Sequence, residues 1–75
     1  MAKDESFSEL IVQIEILLLA SGRPLGVKRL SELLEEEHSN DQIEKGLEIL
    51  KSNLENDNKP YELNRVAGGW RLETN

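Results

Sequence analysis

The side chains that could do chemistry in this 75-residue chain are few and dispersed. The single histidine, His38, lies in an acidic, polar junction, where a surface residue is expected rather than a general base or a metal ligand. Glu35, Glu36 and Glu37 point in successive directions around a helix, so they cannot all converge on one ion. No serine shares a nucleophile motif with a histidine. We therefore predict no catalytic residues, no metal site and no cofactor, and hence no enzyme.

Two glycines and a tryptophan near the end of the chain suggest nucleic-acid chemistry. Gly68 and Gly69 do not form a phosphate-binding loop, because neither a strand-to-helix transition nor a lysine follows them. Trp70 could be a platform on which bases stack, or an anchor in the core. It falls on the inward face of the hairpin predicted below, which favours the core.

The basic side chains are candidates for phosphate contacts. Arg23, Lys28 and Arg29 lie around the start of the second predicted helix, and Arg65 and Arg71 lie on the terminal strands. The net charge of -6 repels a phosphate backbone unless the cations share one surface. A solvated surface is the default interpretation, and a weak phosphate contact through Arg23, Lys28 and Arg29 is the alternative.

The composition indicates one small intracellular domain. A chain this short buries only roughly 60% of the surface that its unfolded form exposes, so burial against a partner would add stability. There is no cysteine to supply a disulfide or a thiolate metal site. The longest apolar run, residues 16 to 20, is far shorter than the ~20 residues that a membrane-spanning helix needs.

Apolar residues at spacings of three and four predict a first helix. Residues 1–5 are polar and are expected to be a disordered start, so the domain covers residues 6–75. The helix begins at Ser6 and ends at residues 21–24, SGRP, because glycine and proline end helices. Its predicted core stripe is Phe7, Leu10, Ile11, Ile14, Leu17 and Leu18.

Two further helices follow. The second begins after Gly26 and runs out within residues 35–38, EEEH, because three glutamates oppose the dipole at a helix C-terminus. Ser39 and Gln42 form a capping box that opens the third. The predicted core stripes are Val27, Leu30, Leu33 and Leu34 in the second helix and Ile43, Leu47, Leu50 and Leu54 in the third.

The last residues alternate with the two-residue period of a strand. A two-residue turn at 68–69 would pair Ala67 with Trp70, Arg65 with Leu72, and Leu63 with Thr74. The expected inward face is Tyr61, Leu63, Trp70 and Leu72. Three helices and a C-terminal β-hairpin are the order of a winged helix-turn-helix domain, an α+β fold. The competing fold is a three-helix bundle with a disordered tail, which leaves the alternation unexplained.

The first helix has a second apolar face. Val12, Ile16 and Leu19 lie at about 140–200° from Ile14 around the helix. Either the compact domain covers both faces, or these three residues belong to a protein interface. Their burial would contribute on the order of 5 kcal/mol before association costs.

The third predicted helix is acidic. Residues 39–58 contain five acidic residues and two lysines, a balance of 2 − 5 = -3. Helices that read DNA present Arg, Lys, Asn or Gln to the groove. We therefore expect no direct sequence-specific DNA binding and favour a protein-interaction module. The alternative is a winged-helix DNA-binding transcriptional regulator.

Two segments carry a resemblance to a known family. ILLLASGRPLGVKRLSELL (16–34) and YELNRVAGGWRLETN (61–75), with the acidic helix between them, are similar to the N-terminal winged-helix domain of segregation and condensation protein B, the bacterial condensin accessory subunit. The similarity spans residues 10–74. Arg23 and Gly26 depart from it, because the family often has an acidic residue and a capping serine there.

The resemblance implies a non-enzymatic role in chromosome condensation, partition and cell division. It implies a homodimer that binds the kleisin subunit, segregation and condensation protein A (ScpA), and the SMC ATPase in the full-length protein. It also implies a cytoplasmic, nucleoid-associated location without membrane contact. Family members usually have two tandem winged-helix domains, so this chain is expected to be the first, with the second absent.

Overall fold

A computed structural model describes the backbone of residues 2–74 and the side chains of residues 7–74. The helices are α1 (Ala2–Ala20), α2 (Val27–Leu33) and α3 (Asn40–Asn56), and the strands are β1 (Tyr61–Val66) and β2 (Gly69–Thr74). This order confirms the predicted winged helix-turn-helix architecture and the α+β class. The alternative of a helical bundle with a disordered tail is wrong, because the tail forms the hairpin β1–β2.

Helix α1 supplies one side of the core. It includes residues 2–5, where a disordered start is expected; Ala, Lys and Glu, three of the four residue types there, form helices readily. Residue 1 lies outside the described residues. The predicted stripe is confirmed, with three residues fully packed and three partly buried. These are Leu10, Ile14 and Leu18, and Phe7, Ile11 and Leu17, respectively.

Helix α2 is short and ends at Leu33, just before residues 35–38, where the sequence predicts its end. Glu35 and Glu36 take φ of 60° and 58°, in the left-handed region that terminates a helix. Leu30 and Leu34 are buried, and Val27 packs against the core. Leu33 is a correction, because it is 39% exposed rather than part of the core. In a helix of seven residues, the narrow buried stripe follows Leu30 and Leu34, one turn apart.

Helix α3 begins with the predicted capping box. The Gln42 backbone N–H donates to Ser39 Oγ at 3.1 Å, and the Ser39 N–H donates to Gln42 Oε1 at 3.0 Å. Both bonds satisfy N–H groups that a helix N-terminus otherwise leaves unpaired. The predicted stripe is confirmed as fully buried: Ile43, Leu47, Leu50 and Leu54.

The hairpin has a different register from the predicted one. Val66 pairs with Gly69 and Leu63 pairs with Leu72, so the two-residue turn is Ala67–Gly68 rather than 68–69. Because the slip is two residues, every side chain keeps its predicted face. Two residues of that face are buried and two pack against the core. These are Leu63 and Trp70, and Tyr61 and Leu72, respectively.

A backbone contact outside the hairpin explains the register. The Leu25 N–H donates to the Trp70 carbonyl at 2.9 Å, and the Trp70 N–H donates to the Leu25 carbonyl at 2.8 Å. A Cβ on Gly69 would lie 2.3 Å from the Leu25 carbonyl carbon and 2.4 Å from the Gly26 nitrogen. Gly69, at φ +138°, is therefore required for this approach, and Gly68, at φ +92°, supplies the positive φ of the turn.

Over the described residues, no helix has both the length and the apolar content that crossing a membrane requires.

We predict that Gly69→Ala destabilises the fold by more than about 2 kcal/mol, because the added Cβ overlaps the Leu25–Gly26 backbone and its φ is unfavourable. Denaturant unfolding followed by Trp70 fluorescence measures the change. Gly22→Ala is the matched control, since nothing lies within 4 Å of its added Cβ. Equal stability of the two variants would contradict the role given to Gly69.

Candidate protein interface

The second apolar face of α1 is open to solvent. Val12, Ile16 and Leu19 are 53%, 57% and 55% exposed. Their spacing of four and three residues places them in one row along the helix, which we call the α1 stripe. The hairpin and the other helices leave this row uncovered. The interpretation that the domain covers both faces is therefore wrong for these three residues.

The composition of the α1 stripe is not explained by helix stability. Val and Ile are weaker helix formers than the Ala, Glu or Lys that suit an exposed helix position. A single exposed apolar residue is ordinary, but a contiguous row marks a surface that another molecule covers. The α1 stripe is thus the best candidate interface among the described residues.

The free energy available from the α1 stripe is smaller than the sequence suggests. About half of each side chain is already covered, so the burial still to be gained is on the order of 3 kcal/mol per copy rather than 5. Two copies together supply about 6 kcal/mol, which exceeds the lower bound of the association cost, about 4 kcal/mol, but not the upper part of its range. The stripe can therefore be the centre of an interface, with neighbouring residues of α1 contributing the remainder.

A polar contact joins α1 to the hairpin beside the stripe. The Tyr61 hydroxyl donates to Glu15 Oε2 at 2.6 Å. The hydrogen bond to the Glu15 carboxylate raises the pKa of Tyr61 above its ordinary value, with smaller contributions from burial and from the carboxylate charge. This bond fixes β1 to Glu15, which lies one turn from Val12 and Leu19 on α1 and therefore borders the stripe.

We predict that Tyr61→Phe makes the folded protein lose less stability as the pH rises above about 10. A pKa raised in the folded state means that the bond stabilises the fold fully below about pH 10, the unfolded value, and less as the pH rises through the folded value. The variant should lose up to about 1 kcal/mol at pH 7 and show a shallower decline above pH 10. Urea unfolding between pH 7 and pH 11 measures both effects. A parallel decline in the two proteins would contradict the assignment.

The three proposed phosphate-binding cations, Arg23, Lys28 and Arg29, are all exposed. The Arg29 guanidinium lies 3.1 Å from Glu32 Oε1, and because both side chains are largely exposed this pair is weak. On the hairpin, the Arg65 guanidinium carbon lies 5.5 Å from the centroid of the Trp70 ring, a cation–π contact within the domain. The phosphate contact of the first three cations therefore stays a prediction.

The structure groups the arginines differently from the sequence. Arg23 and Arg71 line one surface depression of about 180 Å³, with Leu18, Leu72, Ser21 and Gly22 as its other lining residues. Sequence reasoning missed this pairing, because it depends on the contact of Leu25 with Trp70.

The outer face of α3 is acidic. Asp41, Glu44, Glu48 and Glu55 are exposed, and their spacings of three, four and seven residues place them along the solvent side of the helix. In winged-helix DNA-binding proteins, this helix enters the major groove. Here four carboxylates would face the phosphates, which repel them.

Trp70 is buried in the core, and His38 is partly buried. Trp70 is 6% exposed, so the prediction of a core anchor is confirmed and the alternative of a stacking platform is wrong. His38 is half-buried between α2 and α3. Among the described residues, no group of three or more His, Cys, Asp or Glu side chains could hold a metal ion.

The sequence matches one family model, and the fold matches two solved structures. Residues 12–75 match the family model described as segregation and condensation complex subunit ScpB. The fold superposes with a TM-score of 0.82 on ScpB from Mycobacterium tuberculosis, at 23% identity over 92% of this chain and 42% of that one. It also superposes, with a TM-score of 0.82, on a conserved hypothetical protein from Chlorobium tepidum, at 21% identity over 96% and 44%.

The chain thus spans less than half the length of these two solved structures. At such identities the likeness establishes the fold alone. No curated protein matches the sequence.

Proposed function

The chain belongs to the family of segregation and condensation complex subunit ScpB, and we propose that it is a non-enzymatic, self-associating subunit of the SMC–kleisin complex that condenses and segregates bacterial chromosomes. The supporting observation is the exposed α1 stripe, Val12, Ile16 and Leu19. The proposed partners are a second copy of the chain, the kleisin subunit ScpA and the SMC ATPase. The proposed location is the cytoplasm, at the nucleoid.

The proposal divides these contacts between the chain and the longer proteins that it resembles. Because the chain spans 42% and 44% of the matched structures, the kleisin and SMC ATPase contacts are proposed for a whole protein. Self-association is proposed for this chain, through α1. The proposed tandem arrangement, with this as the first winged-helix domain, belongs to the same whole protein.

Self-association can be tested by replacing the ends of the α1 stripe. We predict that Val12→Glu with Leu19→Glu gives a folded monomer, because two carboxylates in a buried apolar interface would be desolvated without partners. Sedimentation equilibrium of the wild type should show a mass that rises with concentration, and the double variant should keep the monomer mass throughout. Far-UV circular dichroism checks the fold of each protein.

The matched control is Ser52→Glu with Asn53→Glu, which adds the same charge at two exposed positions of α3. The control should associate as the wild type does. A dimeric Val12/Leu19 variant would contradict the interface. An unfolded one would place these side chains in the core, and loss of association in the control would indicate a general charge effect instead.

The acidic face of α3 predicts that the chain does not bind duplex DNA at micromolar concentration. Fluorescence anisotropy with a labelled duplex of mixed sequence, in about 50 mM salt, should show no saturable rise up to about 10 μM protein. A transcriptional regulator would instead bind at micromolar concentration, with an affinity that falls steeply with salt. That binding should be lost in the triple variant Arg23→Ala, Lys28→Ala, Arg29→Ala.

A further inference from the structure

The outer edge of β2 has backbone groups that point to solvent. Both Trp70 hydrogen bonds to Leu25 lie on the side of β2 away from β1. Successive residues of a strand direct their N–H and C=O groups to opposite edges, so Leu72 and Thr74 direct theirs to the same edge as Trp70. We call this segment, Leu72–Thr74, the β2 edge.

The strand that Leu25 begins does not continue along the β2 edge. In the register of Leu25 with Trp70, Arg23 is the residue that would lie opposite Leu72. The Arg23 backbone is instead engaged with Ser21, whose Oγ donates to the Arg23 carbonyl at 2.6 Å and accepts from the Arg23 N–H at 3.2 Å. Within residues 2–74, no segment pairs with β2 on this side beyond Trp70.

The depression described above lies where the missing strand would run. Leu18 and Leu72 are the apolar residues of its lining, and Arg23 and Arg71 are the cationic ones. Arg71 Nε lies 4.0 Å from Glu73 Oε2, and both side chains are largely exposed, so this pair is weak. Arg23 has no ion pair with any described residue.

We propose that the β2 edge is a docking site for an extended acidic segment of a partner protein. The segment adds a short strand beside Leu72 and Thr74, and a carboxylate of the segment binds Arg23 and Arg71. Strand addition uses main-chain hydrogen bonds for affinity and side-chain pockets for specificity. This surface is separate from the α1 stripe, and the proposal goes beyond self-association.

The charge of the β2 edge determines which partner fits it. If two copies of the chain joined edge to edge, with Leu72 of one beside Thr74 of the other, Glu73 of each copy would lie opposite Glu73 of the other, and like charges oppose that arrangement. An acidic segment instead supplies a carboxylate, the ion-pair partner that Arg23 does not have among the described residues. Guanidinium and carboxylate groups match in a forked, bidentate geometry. Charge complementarity therefore favours an acidic partner over a second copy.

The test uses the whole chain, labelled with ¹⁵N, and a capped peptide probe, Val-Thr-Val-Glu-Val, whose single glutamate can lie opposite Arg71 while the threonine lies opposite Glu73 in an antiparallel register. We expect saturable shifts of the Leu72 and Thr74 amide signals, with a dissociation constant near 1 mM, as suits so short a segment. The Leu63 amide, on β1, serves as the internal reference. A peptide whose central valine is N-methylated loses one ladder donor and should bind at least about fivefold more weakly.

Variants of the arginines test the carboxylate contact. Arg23→Ala with Arg71→Ala should weaken binding about five- to tenfold, whereas Arg29→Ala, whose side chain pairs with Glu32, should leave it unchanged. A Val-Thr-Val-Lys-Val peptide, which lacks the carboxylate, should bind at least about fivefold more weakly. The proposal is overturned if the acidic peptide shifts neither amide at about 5 mM, if the lysine peptide binds equally, or if the shifts centre on the α1 stripe.

Discussion

The contact between the Leu25 backbone and the Trp70 backbone holds the domain together. A two-stranded hairpin is at best marginally stable in water without a third strand or a packed helix. Leu25 supplies the beginning of a third strand through two hydrogen bonds, at 2.8 and 2.9 Å. Gly69 permits the approach, and Trp70 anchors the hairpin in the core. The wing of this winged helix is therefore fixed to the α1–α2 connection as well as to the helices.

The elements that pack on α1 leave one of its faces open. One side of the helix is occupied by α3 and the core, and the hairpin reaches the helix at Glu15, where Tyr61 binds. Among the described residues, no element covers the α1 stripe. A small domain has few elements with which to bury a second apolar face, so such a row is suited to contact with a further surface.

The sequence predicted most of the fold because most of its signals are local. The spacing of Ile43, Leu47 and Leu50 and the Ser39 capping box are both encoded within a few residues of one helix. The hairpin register was wrong because a pair of glycines looks like a turn, and nothing near Gly69 in sequence shows that Leu25 lies against it. The prediction that Leu33 belongs to the core was wrong because a seven-residue helix buries a narrower stripe than the helical period predicts.

The candidate surfaces divide in the same way. The α1 stripe could be read from the helical period, since its residues lie on one helix, and its role in self-association remains a prediction. The grouping of Arg23 with Arg71 could not be predicted from the sequence, because 48 residues separate the two. The contact of Leu25 with Trp70 brings them to one depression.

The polar network of the hairpin explains why this wing differs from one that contacts phosphates. Arg65 lies over Trp70, and Arg71 lies beside Glu73. Glu62 and Glu73 are directly opposite each other, an unfavourable pair of like charges. The Asn64 amide donates to both carboxylates, at 3.1 and 2.8 Å.

A wing that contacts phosphates needs its cations free, whereas this hairpin balances cations and carboxylates within its own surface. The acidic outer face of α3 would repel phosphates at the other surface through which this fold approaches DNA. The two surfaces proposed for binding are an apolar row on α1 and an unpaired strand edge. Both have chemistry suited to protein chains, which is burial in the first case and main-chain hydrogen bonding in the second.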